Sequence, residues 1–138
     1  MGYGALGGFQ SQSGSLIDET LALGTQALTR FQEGTLNTAI GGNVAMAYLT
    51  TGSYNTAIGG FALQALGFGT GTESHERNTG IGMAAGNNAA AGGFFVGGFG
   101  NTFVGSNSSP LNTNTNYETV IGAYAEGHGE NTDRKSVV

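Results

Sequence analysis

The side chains able to do chemistry gather in a few short stretches. Glu73-Ser74-His75-Glu76-Arg77 sets an acid, a hydroxyl, an imidazole and a cation side by side. Hydrolases use such groups, but they bring them to one substrate atom from separate segments, and neighbours on one loop do not converge in that way. The stretch reads as a solvated loop tip, with Glu73, His75 and Arg77 as candidate ligand contacts. His128 stands between two glycines in Glu126-Gly127-His128-Gly129-Glu130. A turn is expected there, although three such imidazoles around a three-fold axis would hold a metal ion. Cleaving a glycosidic bond needs two carboxylates about 5–9.5 Å apart, and Glu73 with Glu76 or Glu126 with Glu130 are the available pairs. With only 9 acidic residues in small clusters, no enzyme is expected, and no catalytic residue, metal ligand or cofactor site is assigned. Tyr48, Tyr54, Tyr117 and Tyr124 flank or sit in the linkers, and exposed tyrosine with Asn, Ser and Gly suits stacking on sugars and adaptable hydrogen bonding. Packing on a glycine-rich β surface suits them equally. Tyr48, Tyr54 and Tyr117 join the candidate ligand contacts.

Composition removes several other classes. Glycine supplies 27 of 138 residues, with one proline and no cysteine. Collagen would need glycine at every third position and abundant proline, and neither a disulfide scaffold nor a thiolate zinc site is possible. The net charge of −5 argues against nucleic acid or an anionic membrane as partner. No apolar run approaches the ~20 residues of a membrane span. Gly2–Gly7 and Gly80–Ala85 match the dinucleotide-binding glycine pattern, but that pattern needs a strand before it, a helix after it and an acid about 20 residues on. A phosphate-binding loop is excluded because the only lysine is Lys135. Calcium-binding β-roll repeats need aspartate in every turn, and Asp18 and Asp133 are the only two.

The elements that position these residues come from an internal repeat. Asn37-Thr38-Ala39-Ile40-Gly41 recurs at 55–59, as Asn78-Thr79-Gly80-Ile81-Gly82, as Asn101-Thr102-Phe103-Val104-Gly105 and as Glu118-Thr119-Val120-Ile121-Gly122, with a looser copy at 20–24. From Gly24 onward the closing glycines are spaced 17, 18, 23, 23 and 17 residues apart. Three residues past the glycine stands a small residue: Ala27, Ala62, Ala85, Ser108 and Ala125. Val44 takes that place in one copy, where Ala45-Met46 suggests a one-residue insertion. Gly2–Leu6 reads as the part after an anchor glycine and Lys135–Val138 as the part before one. The chain is therefore expected to be one repetitive unit, 1–138, with anchors near 2, 24, 41, 59, 82, 105 and 122, cut from a longer protein.

Thr-x-Ile-Gly alternates with period two, as in a short strand, with Thr and Ile on one face and the middle residue on the other. The glycine permits positive φ or a close backbone approach. Glycine and Asn-Thr interrupt every candidate helix, so even 16–31 is read as strand. Asn37, Asn55, Asn78 and Asn101 would stack as an amide ladder. The threonine column invites comparison with ice-binding solenoids, but each threonine shares its strand face with an Ile or Val of buried type, which sets that reading aside. Units this small cannot bury a face alone and must stack. Leu, Ile, Val and Phe make up only 29 residues, so either the chain is very regular or it borrows its core from neighbouring copies, and shared burial among chains is the expectation. The segments 64–77, 86–100 and 106–117 exceed a minimal linker and are expected to protrude as loops.

Tandem Asn-Thr-Ala-Ile-Gly-x-x-Ala-Leu units joined by Thr-Thr-Gly-Ser-Tyr linkers, clearest at 37–63, resemble the repeats of bacteriophage tail fibres and trimeric fibre adhesins. They are also similar to the head repeats of trimeric autotransporter adhesins, although those heads keep a shorter, more constant period. The resemblance implies an all-β fold in which repetitive short strands form a trimeric parallel β-roll, an intertwined triple β-helix or a β-prism. It implies a homotrimer, an extracellular setting on a virion tail fibre or bacterial surface, and loops presented to a cell-surface receptor, with a glycan the expected ligand. A pure spacer without ligand is the alternative, and a polysaccharide depolymerase a third reading.

Overall fold

The computed structural model describes residues 17–68, 75–88 and 92–135. The half unit at 2–6, Glu73 and the closing residues 136–138 lie outside them. Among the described residues there are eleven short strands and no helix: β1 (Ile17–Asp18), β2 (Leu21–Leu23), β3 (Gly34–Thr35), β4 (Thr38–Ile40), β5 (Thr56–Ile58), β6 (His75–Glu76), β7 (Thr79–Ile81), β8 (Gly98–Phe99), β9 (Thr102–Val104), β10 (Thr119–Ile121) and β11 (Asp133–Lys135). Within 16–31 the strand reading holds for β1 and β2, after which the chain runs through turns.

Seven strands, β2, β4, β5, β7, β9, β10 and β11, form one parallel sheet in chain order, so each repeat is one coil of a parallel β-solenoid. The register sets like on like: Thr38, Thr56, Thr79, Thr102 and Thr119 in one column, Ile40, Ile58, Ile81, Val104 and Ile121 in another. Two further stacks complete each coil. Leu28, Met46, Leu63, Gly86 and Ser109 donate their amides to Ala45, Ala62, Ala85, Ser108 and Ala125 of the next coil. On the third side β1 pairs β3 and β6 pairs β8, with parallel bridges Glu33–Thr51 and Gly97–Asn114. Ala45–Met46 is in register with Ala62–Leu63 and Val44 with Gln26 and Phe61, which puts the extra residue of that coil at 42–43, where Asn43 has positive φ.

The faces of the main sheet differ from the expectation. The middle position is the buried one, occupied by Ala22, Ala39, Ala57, Gly80, Phe103 and Val120, while Thr and Ile point outward. Ile58, Ile81 and Ile121 are 37–39% exposed. The reason lies in the second stretch of each unit. Leu28, Met46, Leu49, Leu63 and Leu66, with Phe31, Phe95 and Phe103, fill the interior of a single chain, and only small residues fit opposite them. Where the middle residue is large, glycine makes room. A Cβ on Gly86 would meet the Phe103 ring at 2.5 Å, and one on Gly80 would meet Leu63 Cγ at 2.7 Å. Expectations of a core shared among copies are thus corrected: the chain closes a core of its own.

The long segments are corrected as well. Ala65, Leu66 and His75 in 64–77, Phe95 in 86–100, and Ser108 and Thr115 in 106–117 are all buried. In their described parts these segments build the second and third sides of the coil, because a longer coil has room for a wider perimeter. The anchor glycines perform both expected tasks. Gly59, Gly82 and Gly105 have φ of 126–128°, and a Cβ on any of them would overlap the backbone of the next anchor glycine.

The asparagine column forms the ladder. Asn37, Asn55, Asn78 and Asn101 are fully buried, and each Nδ2 from Asn55 onward donates to the Oδ1 one coil back at 3.1, 3.2 and 2.9 Å. The same nitrogens donate to the carbonyls of His75, Gly98 and Thr115. Each Oδ1 also accepts the backbone N–H of the next ladder residue at 3.0–3.2 Å. Glu118 closes the column. Its backbone donates to Asn101, while its Oε1 accepts from the Gly129 amide at 2.7 Å. The last coil offers N–H groups where earlier coils offer carbonyls, so an acceptor-only side chain fits there.

Candidate ligand-binding surface

Just before Thr20, each ladder residue, Glu118 and Thr132 the chain turns a corner through the left-handed region, at Glu19, Leu36, Tyr54, Arg77, Gly100, Tyr117 and Asn131, with φ between 50 and 70°. Such a conformation costs a non-glycine residue about 1–2 kcal/mol. It persists because the coils above and below fix it: the amides of Tyr54, Arg77, Gly100 and Tyr117 donate to Thr35, Ser53, Glu76 and Phe99 at 2.9–3.1 Å. The corner throws its side chains outward and stacks them along the rod.

The result is an edge on which one cation, Arg77, lies among the rings of Tyr54, Phe99 and Tyr117. The Arg77 guanidinium lies 5.3 Å from the Tyr54 ring and 5.0 Å from the Phe99 ring. Phe99 in turn packs edge-on against Tyr117, with centroids 5.3 Å apart and planes at 67°. Cation–π contacts of this kind contribute about 0.5–1 kcal/mol each at exposed sites. Tyr54 and Tyr117 remain about half exposed. Arg77 Nη1 is 3.7 Å from Glu76 Oε2, with both side chains about half exposed, a separation longer than a hydrogen bond.

Three of the sequence candidates, Tyr54, Arg77 and Tyr117, therefore share one edge. Tyr48 is elsewhere. Its ring packs edge-on against Phe68 at 4.9 Å and lies under Arg30, 4.7 Å away, beside an open cleft of about 100 Å³ lined by Tyr48, Gln64, Ala65, Phe68 and Phe94. His75 is corrected: it lies in β6 with 3% exposure, so it is no surface contact, and the described part of the stretch, 75–77, is no simple loop tip. Glu73 lies outside the described residues. His128 borders a depression of about 280 Å³ with Leu111, Glu126 and Gly127. It belongs to the segment beside the Ser109–Glu126 bridge, off the Thr/Ile sheet. No group of three or more His, Cys, Asp or Glu placed to hold a metal occurs among the described residues. The Gly80–Ala85 glycine pattern runs through β7 into turns, with no helix after it.

Sequence reasoning missed Phe99, Arg30, Phe68 and Phe94. The edge itself was within reach, because Tyr54, Arg77 and Tyr117 each stand immediately before the ladder residue of their unit. No protein-family model, curated protein or solved structure was found to match this chain.

Proposed function

We propose that this chain is a rod segment of a homotrimeric surface fibre, on a phage tail or a bacterial surface, that presents side chains along its length to a cell-surface glycan. One observation carries the reading: on β4, β5, β7, β9 and β10 the outward face of the sheet repeats Ile or Val beside Thr from coil to coil, and Leu23 of β2 continues the aliphatic column. Leu23 is 47% exposed, and Ile58 and Ile81 39% each. An exposed, in-register apolar stripe of this kind marks a surface that meets another surface. Two further copies are the occupants the fibre resemblance suggests. The core of each copy is then its own, and association adds burial of the Thr/Ile stripe. Three weak sites on one stiff rod gain avidity without new contacts. The reading contains no catalytic step and no cofactor.

Light scattering in native buffer tests it, with a mass three times the 13.9 kDa of the chain expected. Ile58→Glu with Ile81→Glu, placed on the outward face, should give a folded single chain with unchanged circular dichroism. A wild-type mass equal to one chain would sink the trimer. The alternative, a spacer without ligand, is favoured if a trimer binds nothing on a glycan array.

A further inference from the structure

We infer that the Tyr54–Arg77–Phe99–Tyr117 edge, with Glu76, is a binding site for a neutral, hydroxyl-rich glycan strand lying along the rod. This rests on the adhesive reading above and specifies its site and ligand class.

The geometry supplies the three kinds of contact a pyranose needs. Tyr54 and Tyr117 offer exposed rings to the apolar C–H face of a sugar. They stand three coils apart, about 14 Å at ~4.8 Å per rung, so the platform suits an extended oligosaccharide. Between them Arg77 has aromatic rings near its guanidinium on two sides, and its in-plane N–H groups donate no hydrogen bond among the described residues. The stacked rings hold it in place, so its donors are oriented before a ligand arrives, which lowers the entropy cost of binding. Glu76 stands beside it as an acceptor, and Asn116 Oδ1 and the backbone hold the neighbouring Phe99 corner. A donor and an acceptor side by side match adjacent sugar hydroxyls, each of which both donates and accepts.

Charge selects neutral over acidic glycans. The Arg77 cation already faces the Glu76 carboxylate at 3.7 Å, so the pair is close to neutral as seen by a ligand. The chain as a whole carries −5. A uronate or sialate strand would place further carboxylates against Glu76 and against that field.

The test uses the left-handed backbone of the corner to separate binding from folding. Asparagine tolerates positive φ better than most residues, so Arg77→Asn (φ 57°), Tyr54→Asn (φ 62°) and Tyr117→Asn (φ 54°) should fold as well as the wild type. Each, with Arg30→Gln as a control on the other aromatic patch, is applied to an array of neutral and acidic glycans and to immobilised dextran, mannan and alginate. The expected result is binding to a neutral glycan or polymer, weakened tenfold or more by each edge substitution and unchanged by Arg30→Gln, with unaltered circular dichroism. Binding only to acidic glycans overturns the ligand class. Neutral binding that survives Arg77→Asn and Tyr117→Asn overturns the site, and no neutral binding overturns both. A trimeric mass with an empty array leaves the rod reading standing while this inference fails. A single-chain mass with edge-dependent binding does the reverse.

Discussion

Replacing Asn78 tests whether the amide ladder holds the coils together through directed hydrogen bonds or merely fills space. Its Nδ2 donates to Asn55 Oδ1 at 3.2 Å and to the Gly98 carbonyl at 2.8 Å. Its Oδ1 accepts the amide of Asn101 at 3.2 Å and Asn101 Nδ2 at 2.9 Å. In Asn78→Ala, Asn55 Oδ1 keeps the backbone amide of residue 78, but two N–H groups of Asn101 and the Gly98 carbonyl lose their partner inside the protein. At about 1–3 kcal/mol for each buried group left unpaired, the expected loss is about 4 kcal/mol. Asn78→Asp keeps the shape and still accepts from Asn101, yet it turns an oxygen toward two acceptors and buries a charge while the guanidinium of the adjacent Arg77 lies out on the exposed corner against Tyr54 and Phe99. That costs about 5 kcal/mol, so near neutral pH the isosteric change should be at least as damaging as the truncation. The surroundings favour the protonated acid, which raises the folded-state pKa of the new carboxyl above its unfolded value. Its penalty is therefore smallest below the usual carboxylate range and grows as pH rises through it. Urea unfolding followed by far-ultraviolet circular dichroism, at one fixed protein concentration because association would shift the midpoint, measures both variants at pH 4 and pH 7. If Asn78→Asp is milder than Asn78→Ala at pH 7, or if the difference between them ignores pH, the directional ladder is wrong.

The remaining expectations concern space and backbone. Gly82→Ala, with φ of 127° and a Cβ that would sit 2.7 Å from the Gly105 carbonyl carbon, should cost about 3 kcal/mol in the same assay. Gly42→Ala, with nothing within 4 Å of the added carbon, should be neutral or stabilise by about 0.5 kcal/mol. Phe103→Ala removes a fully buried ring packed edge-on against Phe95 at 5.2 Å and should cost about 4 kcal/mol by urea midpoint. Tyr124→Gly relieves a left-handed residue (φ 57°) whose side chain is 74% exposed. Thermal melting should move up, by the equivalent of about 0.5 kcal/mol, once the added freedom of glycine in the unfolded chain is deducted from the relieved strain.

Much of this architecture is written in the order of residues. The recurrence of Asn-Thr-x-Ile-Gly fixes parallel strands, because like pairs with like only when every coil runs the same way, and it places the anchor glycines on one another. The asparagine ladder follows from the same recurrence, since an amide both donates and accepts and needs only a copy of itself one coil away. Period-two alternation says that Thr and Ile share a face, but it is silent on which face is inside. Tertiary packing decided that: Leu28, Met46, Leu63 and the buried phenylalanines occupy the interior, leaving room opposite them only for Ala39, Ala57 and Gly80. Nor does composition reveal how a chain poor in large apolar residues closes its own core, because the solution is geometric, with buried alanines and a hydrogen-bonded ladder filling a narrow coil. The polar stretch 73–77 shows the limit most clearly. Its residues looked alike as a string, yet coil closure buries His75 and exposes Arg77 two positions later, where a left-handed corner turns the guanidinium toward Tyr54 and Phe99.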